Sequence, residues 1–301
     1  MDKCFKDMKG AYAALYTPFR KDGSLNEEMI ERQIAYGLKK GLRGFYLTGS
    51  TGEGFKLSNA ERKAVFERAV KASNGKAKLI AHVGCLATQD AVELARHAAK
   101  VGIDWVSSVA PVYFGQNWKS AYEHYKAISE ATDLPFMIYS LGADIVPDRD
   151  AKFFELRNVK GMKYTNYKYW HVQALARKLP KEAIFFSGAD EQALSALATG
   201  LFAGNIGTSQ NTIPGHFAKI CELAAKNDFK AAAKLQDQVV QFVELLLADA
   251  NYSYIKAMNA YIGLDVGPGR GPGVWEFSAA DRNRLYKAMD RLGFIRRNDA
   301  K

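Results

Sequence analysis

The stretch VKGMKYT, residues 159–165, decides the fold. It reads as a short buried strand. Strand side chains alternate, so Gly161, Lys163 and Thr165 share one face while Met162 and Tyr164 share the other. Met162 and Tyr164 suit a surface covered by helices. The face with small Gly161 then points into a barrel, and Lys163 rises to its mouth. Lysine is among the residues least often buried without a partner. Lys163 therefore either escapes to water at a strand end or has a chemical task, and the pattern alone leaves both open.

Seven further β-rich runs accompany this one: GAYAALYTP from Gly10, GFYLTG from Gly44, KLIAHVG from Lys78, WVSSVAP from Trp105, PFMIYS from Pro135, AIFFSG from Ala183 and AGNIGTS from Ala203. Helical patterns separate them. Ser58 and Glu61 form a capping box ahead of Val65, Ala69 and Val70. Thr88 is expected to cap the helix of Ala91, Leu94, Ala95 and Ala98. Asn26 or Ser24 is expected to start that of Ile30, Ile34 and Leu38. Alternating strands and helices imply parallel pairing, and eight units imply a closed (β/α)8 TIM barrel. The rival doubly wound sheet lacks its GxGxxG fingerprint after the first strand.

Beyond about residue 228 the character changes. Phe229–Ala248 reads as a long apolar-striped helix, followed by helices near Ser253–Ile262 and Ala279–Arg291. GPGRGPG (Gly267–Gly273) separates the last two and follows a helix, so it reads as a turn and not a phosphate cradle. The expected organisation is a barrel over residues 1–227 carrying the active site. A C-terminal helical extension, 228–301, packs on it or on a neighbouring subunit, as one structural unit.

The totals exclude several classes. Of 301 residues, 48% are hydrophobic and 25% charged, the balance of a soluble chain with a sizeable core. No run of about 18 apolar residues occurs, so no membrane span is expected. The N-terminus lacks a secretory h-region. Cys4, Cys85 and Cys221 form no CxxC pair, which fits free thiols in a reducing cytoplasm. The net charge of +10 is spread along helical faces, with a modest cluster at Arg291, Arg296, Arg297 and Lys301. Such a spread is a solvated surface, so no nucleic-acid partner is expected, and an anionic small substrate suits the charge. Five histidines form no HxxH or HExxH, no metal site is expected, and no GxSxG elbow occurs. His82 reads as a hydrogen-bonded core histidine.

Active sites of such barrels form at the C-terminal ends of the strands. An amine held there away from water is disfavoured in its charged form, and a neutral lysine attacks ketones to form a Schiff base. Met137 and Tyr139 share a face in the neighbouring strand, so Tyr139 arrives beside Lys163. Its phenol can relay a proton, although among 15 tyrosines a rim tyrosine is also common. TGSTGEG (Thr48–Gly54) ends another strand. It either aims N–H groups at a carboxylate or simply turns the chain.

GSTGE, the YxxxxxxxP segment from Tyr139 and GxKYT together resemble the N-acetylneuraminate lyase / dihydrodipicolinate synthase superfamily of Schiff-base barrels. The likeness runs from ALYTPF and DGS (Ala14–Ser24) to GLDVGPGRGP. KLIAHVGC, VSSVAPVY and SGADEQAL are similar to the lyase branch. The resemblance implies Lys163 as the Schiff-base lysine and Tyr139 as the proton relay. It implies Ser50 and Thr51 as carboxylate holders, and Tyr113 as a tyrosine lent to a neighbouring subunit's site. Thr165, Gly188, Asp190, Glu191, Gly207 and Thr208 would line the substrate pocket. The loop YSLGADIVP departs from both branches. Asp144 stands where a synthase has a cation, and its charge would repel a dicarboxylate precursor. The implied activity is reversible cleavage of N-acetylneuraminate, or a closely related sugar acid, to pyruvate and N-acetylmannosamine. It would run without metal or organic cofactor, in a cytoplasmic homotetramer. The rivals are a synthase or dehydratase on the same lysine, and a keto-acid-binding barrel without turnover.

Overall fold

All eight runs form strands in the computed structural model, which describes residues 7–300. The strands are β1 (Gly10–Ala14), β2 (Gly44–Leu47), β3 (Lys78–His82), β4 (Trp105–Val109), β5 (Phe136–Leu141), β6 (Val159–Thr165), β7 (Ile184–Ser187) and β8 (Phe202–Gly207). They pair in sequence order, every pair is parallel, and β8 closes on β1. The fold is a (β/α)8 TIM barrel with C-terminal helices.

Strand parity divides the core in two. Tyr12, Tyr46, Ile80, Trp105, Met137, Tyr139, Ile184, Phe186 and Ile206 fill the barrel interior. Met162 and Tyr164 belong to the larger layer between strands and helices, as the β6 alternation requires. Tyr12 and Phe186 meet edge to face across the interior at 5.1 Å. The barrel is therefore packed below its mouth, and only the upper end is free to bind.

Local signals explain most helix starts. Ser58 Oγ accepts the Glu61 N–H and Glu61 Oε2 accepts the Ser58 N–H, so the capping box closes ahead of helix Asn59–Ser73. Thr88 behaves otherwise than expected. Ala87 holds the cap position and Thr88 is already helical, its hydroxyl paired with His124 Nδ1 at 2.9 Å. A tertiary hydrogen bond has taken the oxygen that would have capped the helix. Asn26 holds its cap position, but without a side-chain bond.

The C-terminal helices are Phe229–Leu246, Tyr252–Tyr261 and Ala279–Leu292. Gln236 accepts from the Leu194 N–H and donates to the Asp190 carbonyl, so the first helix touches the loop after β7. Thr212 donates to Asn259 at 2.8 Å after β8. GPGRGPG is irregular, as a turn should be, yet Arg270 within it forks onto Glu61 at 2.7 and 3.0 Å. The strongest tie is buried. Glu53 Oε1 accepts from Lys256 Nζ at 3.0 Å, with both side chains fully shielded from solvent. Glu53 Oε2 takes Lys56 Nζ at 3.1 Å and the Arg270 N–H at 2.7 Å. Lys256 also donates to the Thr17 carbonyl at 2.8 Å, and burial pushes its amine down to about 8 against the pull of Glu53.

Among the described residues no helix is long and apolar enough to cross a membrane, and no cluster of His, Cys, Asp and Glu could hold a metal. Cys85 and Cys221 are free thiols, whereas Cys4 and Lys301 lie outside the described residues.

Candidate active site

The register of β5 on β6 sets Tyr139 directly opposite Lys163, so both side chains leave the same face at the same height. Lys163 is 5% exposed and Tyr139 4%. The Lys163 ammonium lies 4.2 Å from the centroid of the Tyr139 ring and 4.5 Å from that of Tyr46. Tyr46 meets Tyr139 edge to face at 6.0 Å, and its hydroxyl bonds Ser107 at 2.9 Å. Two aromatic faces thus fix the amine and keep water from its stem. Tyr46 was not singled out from the sequence, although its parity on GFYLTG places it inside.

Burial is the largest influence on the Tyr139 phenol and opposes its ionisation. The charge of Lys163, helped by the polar side chains of Ser50 and Thr165 nearby, outweighs it and holds the phenol below the ordinary tyrosine range. Proton transfer at this oxygen is therefore easier than at the chain's other buried tyrosines, such as Tyr46, which burial drives upward. His82 is no competitor as a base. Its Nδ1 donates to the Thr48 carbonyl and its Nε2 accepts the Val109 N–H, the neutral tautomer, and burial holds it well below the usual histidine value.

The Thr48–Gly54 loop closes through Glu53 N–H to the Ser50 carbonyl and Gly54 N–H to the Gly49 carbonyl, both at 3.0 Å. Thr48 and Glu53 take left-handed φ of 51° and 55°. This conformation leaves the Ser50 and Thr51 N–H groups without a backbone acceptor among the described residues. The Tyr252 hydroxyl donates to the Ser50 carbonyl at 2.6 Å, and Thr17 Oγ1 to the Gly52 carbonyl at 2.6 Å. Thr51 and Thr208 share a hydroxyl–hydroxyl bond of 2.6 Å, which brings the β2 and β8 loops together.

Two glycines make room for the rest. A Cβ at Gly188 would lie 1.8 Å from Thr165 Oγ1 and 3.2 Å from Lys163 Cε, so Gly188 lies immediately against the lysine stem. A Cβ at Gly207 would lie 1.6 Å from Asp190 Oδ1. Asp190 fills that space, buried, with Oδ2 accepting the Ser209 N–H at 2.8 Å and Oδ1 left without a partner. Burial raises its carboxyl to about 6. The sign follows: the folded state holds this proton more tightly than the unfolded chain. Its stabilising contribution is full below the unfolded value near 4 and is lost as pH rises through 6. Asp190→Asn should stabilise the fold at pH 8 by about 3 kcal/mol, a gain that shrinks between pH 6 and 4. Urea melts at pH 8 and pH 5 check it, and a pH-independent difference would contradict it.

At the rim, Tyr167 donates to Glu191 Oε1 at 2.6 Å. Lys168 pairs with Asp144 at 2.6 Å, and Asn166 donates to Asp144 and to the Gly142 and Ala143 carbonyls. The Asp144–Lys168 pair carries no net charge, so Asp144 alone does not repel a dicarboxylate as its position in the sequence suggests. Gly142, Thr165, Asn166, Tyr167, Gly188, Ala189 and Glu191 enclose a cavity of about 340 Å³ beside Lys163. A larger one of about 540 Å³ runs along the barrel flank, past outward-facing Ile138 and Met162, Trp118 and Phe153. Tyr139, Ser140, Leu141 and Asp144 also line the larger cavity, whereas Thr165, Gly188 and Glu191 border the smaller. Tyr113 stands apart from both, 72% exposed and in edge contact with Phe114 at 4.7 Å, so one chain alone does not bring it to Lys163.

Comparison with known proteins agrees with this geometry. The model of the dihydrodipicolinate synthetase family matches residues 7–291. An N-acetylneuraminate lyase of Escherichia coli O1:K1 is 31% identical over 261 residues, 85% of this chain and 87% of the relative. The Ruminococcus gnavus sialic acid aldolase superposes with a TM-score of 0.89 at 28% identity, covering 98% of each chain. It has also been solved as a catalytic lysine mutant. The dihydrodipicolinate synthase of Aquifex aeolicus superposes at 0.87 and 26% identity, over 95% of this chain and 99% of its own. The chain is a carbon–carbon lyase of the N-acetylneuraminate lyase kind, and it belongs to the dihydrodipicolinate synthetase family.

Proposed function

We propose that this chain is a Schiff-base aldolase that cleaves N-acetylneuraminate or a closely related sugar acid to pyruvate and an amino-sugar aldehyde. The observation that carries the reading is the buried Lys163 amine, held against the ring of a Tyr139 whose phenol ionises more readily than usual. The free N–H groups of Ser50 and Thr51 hold the carboxylate of the keto acid. Lys163 attacks the C2 ketone and loses water to give an iminium. Tyr139 takes the proton of the C4 hydroxyl, the C3–C4 bond breaks, and its electron pair moves into the iminium. The aldehyde leaves. Protonation of the remaining enamine and hydrolysis release pyruvate and restore the amine. The iminium is itself the electron sink, so the scheme calls for no metal or organic cofactor.

Thr165, Gly188, Asp190, Glu191, Gly207 and Thr208 then border the sugar chain. Asp190 Oδ1, buried and unpartnered, supports that role most directly. Tyr113, exposed on its loop, suits a part in a neighbouring subunit's site within a homotetramer, and the reading puts the enzyme in the cytoplasm. The barrel over 1–227 would carry the chemistry, with 228–301 bracing it.

Incubation with N-acetylneuraminate should release pyruvate and N-acetylmannosamine in equal amounts. Aspartate semialdehyde consumption without sialate cleavage would favour a synthase instead, and loss of water from an aldonate a dehydratase. Tyr139→Phe should still trap pyruvate on borohydride reduction while cleaving about 10²–10⁴-fold more slowly, the loss expected on removing a general base. Unimpaired cleavage by this variant would remove Tyr139 from the scheme.

A further inference from the structure

We propose that the protein carries a second ligand site, apart from the Lys163 site, for a nucleoside monophosphate. It is a cavity of about 600 Å³, within the range of roughly 300–1,000 Å³ typical of ligand sites. The turn after β1 builds one part of it. Helix Tyr252–Tyr261 adds Ser253 and Ala257, and the chain from Asp265 into helix Ala279–Leu292 closes it. None of the residues assigned to the aldolase site borders it.

Its charge is one-sided. Arg20, Lys21 and Arg282 line it against a single acid, Asp265, whose Oδ1 accepts the Gly267 N–H at 3.0 Å. None of the three cations pairs with a carboxylate among the described residues. Asp22, next to Lys21 in the chain, is tied to its own turn, accepting from Ser24 at 2.7 and 3.0 Å. Other cavities of the protein differ. Arg149 pairs with Asp150 in the flank cavity, Lys40 with Asp299 in another, and Lys78 with Asp104 in a third. Three like charges around one hollow repel one another until an anion joins them.

The apolar wall suits a planar ring. Trp275 lines the cavity and is 53% exposed, so much of its indole is open to a ligand. Phe277 in the same wall carries the Arg282 guanidinium 6.0 Å from its ring centroid, which fixes one of the cations. Phe19 is a poorer platform, because Lys256 and Arg270 already lie 4.3 Å from its ring. A base stacking on Trp275 places its phosphate among the cations, and the arginine fork matches phosphate geometry. A phosphate monoester, with a charge of about −1.5 to −2 at neutral pH, answers three cations better than a lone carboxylate does.

The test is equilibrium dialysis with adenosine 5′-monophosphate, adenosine and inorganic phosphate. It compares the wild-type protein with Trp275→Ala, Arg282→Gln and Lys163→Ala. The monophosphate should bind once per chain with a Kd of about 1 mM or below. Adenosine and phosphate should each bind at least about tenfold more weakly, since each keeps only part of the contacts. Trp275→Ala should weaken the monophosphate about tenfold through lost stacking, and Arg282→Gln by about as much through a lost charged hydrogen bond. Both side chains are exposed, so these substitutions leave the packed core untouched. Lys163→Ala should bind the monophosphate as the wild type does. The proposal is overturned by no binding at about 10 mM, or by phosphate alone binding as tightly as the monophosphate. Affinity indifferent to Trp275→Ala and Arg282→Gln overturns it too, as does affinity lost in Lys163→Ala, which would put the nucleotide in the barrel mouth.

Discussion

Lys163→Ala should abolish turnover, a fall of at least roughly 10³-fold, in a protein that still folds. A covalent mechanism loses its defining step when the nucleophile is removed, and the remaining binding groups do not supply another. Lys163→Arg makes the test sharper. A guanidinium keeps a positive charge near the Tyr46 and Tyr139 rings but stays protonated and cannot attack a ketone. If Lys163 served only as a charge that lowers Tyr139, arginine would preserve much of the rate. As a nucleophile it is irreplaceable, so both variants should be inactive. Pyruvate release from N-acetylneuraminate and thermal melting, measured together, separate lost chemistry from lost fold.

Glu53→Gln should cost about 3–5 kcal/mol of stability, because it leaves the Lys256 charge without a counter-ion in a fully buried site. For a chain of this size the melting temperature should fall by about 10 °C. The same substitution weakens the acceptor of Lys56 and the Arg270 N–H, so the Gly267–Gly273 segment loosens with it. Glu53 follows Ser50 and Thr51 by a few residues, and Tyr252 of the same C-terminal region holds the Ser50 carbonyl. KM for pyruvate in the condensation direction should therefore rise. Glu53→Gln with Lys256→Met should recover most of the stability, since no buried charge is then left alone. A single variant within about 1 kcal/mol of the wild type would show that this pair does not brace the loop.

These two predictions rest on features of unequal legibility. Strand parity in VKGMKYT correctly put Lys163 and Gly161 inside and Met162 and Tyr164 outside, because period-2 alternation is a local property of the chain. The facing of Tyr139 and Lys163 follows from neighbouring strands, although the register that makes it exact is set by how the whole barrel closes. Glu53 and Lys256 are 203 positions apart, and nothing local announces their pairing. The one hint was a lysine among Ile255, Ala257 and Met258, where a solvent-facing residue is out of place. Thr88 shows the converse failure, a good local cap overruled by His124 from another helix. Asp144 was read as a free anion because Lys168 lies across a loop, and the Tyr167 phenol reaches Glu191 only in three dimensions. Hydrogen bonds between loops of different strands decide the rim, and these have no sequence period to betray them.

The central claim is that Lys163 bonds covalently to the substrate. Incubation with pyruvate and borohydride, followed by intact mass measurement and peptide mapping, tests it most directly. The account predicts one reduced pyruvate adduct per chain, mapped to Lys163 and missing from Lys163→Ala. A folded protein that binds pyruvate without any adduct, or with the adduct on another lysine such as Lys256, would contradict it.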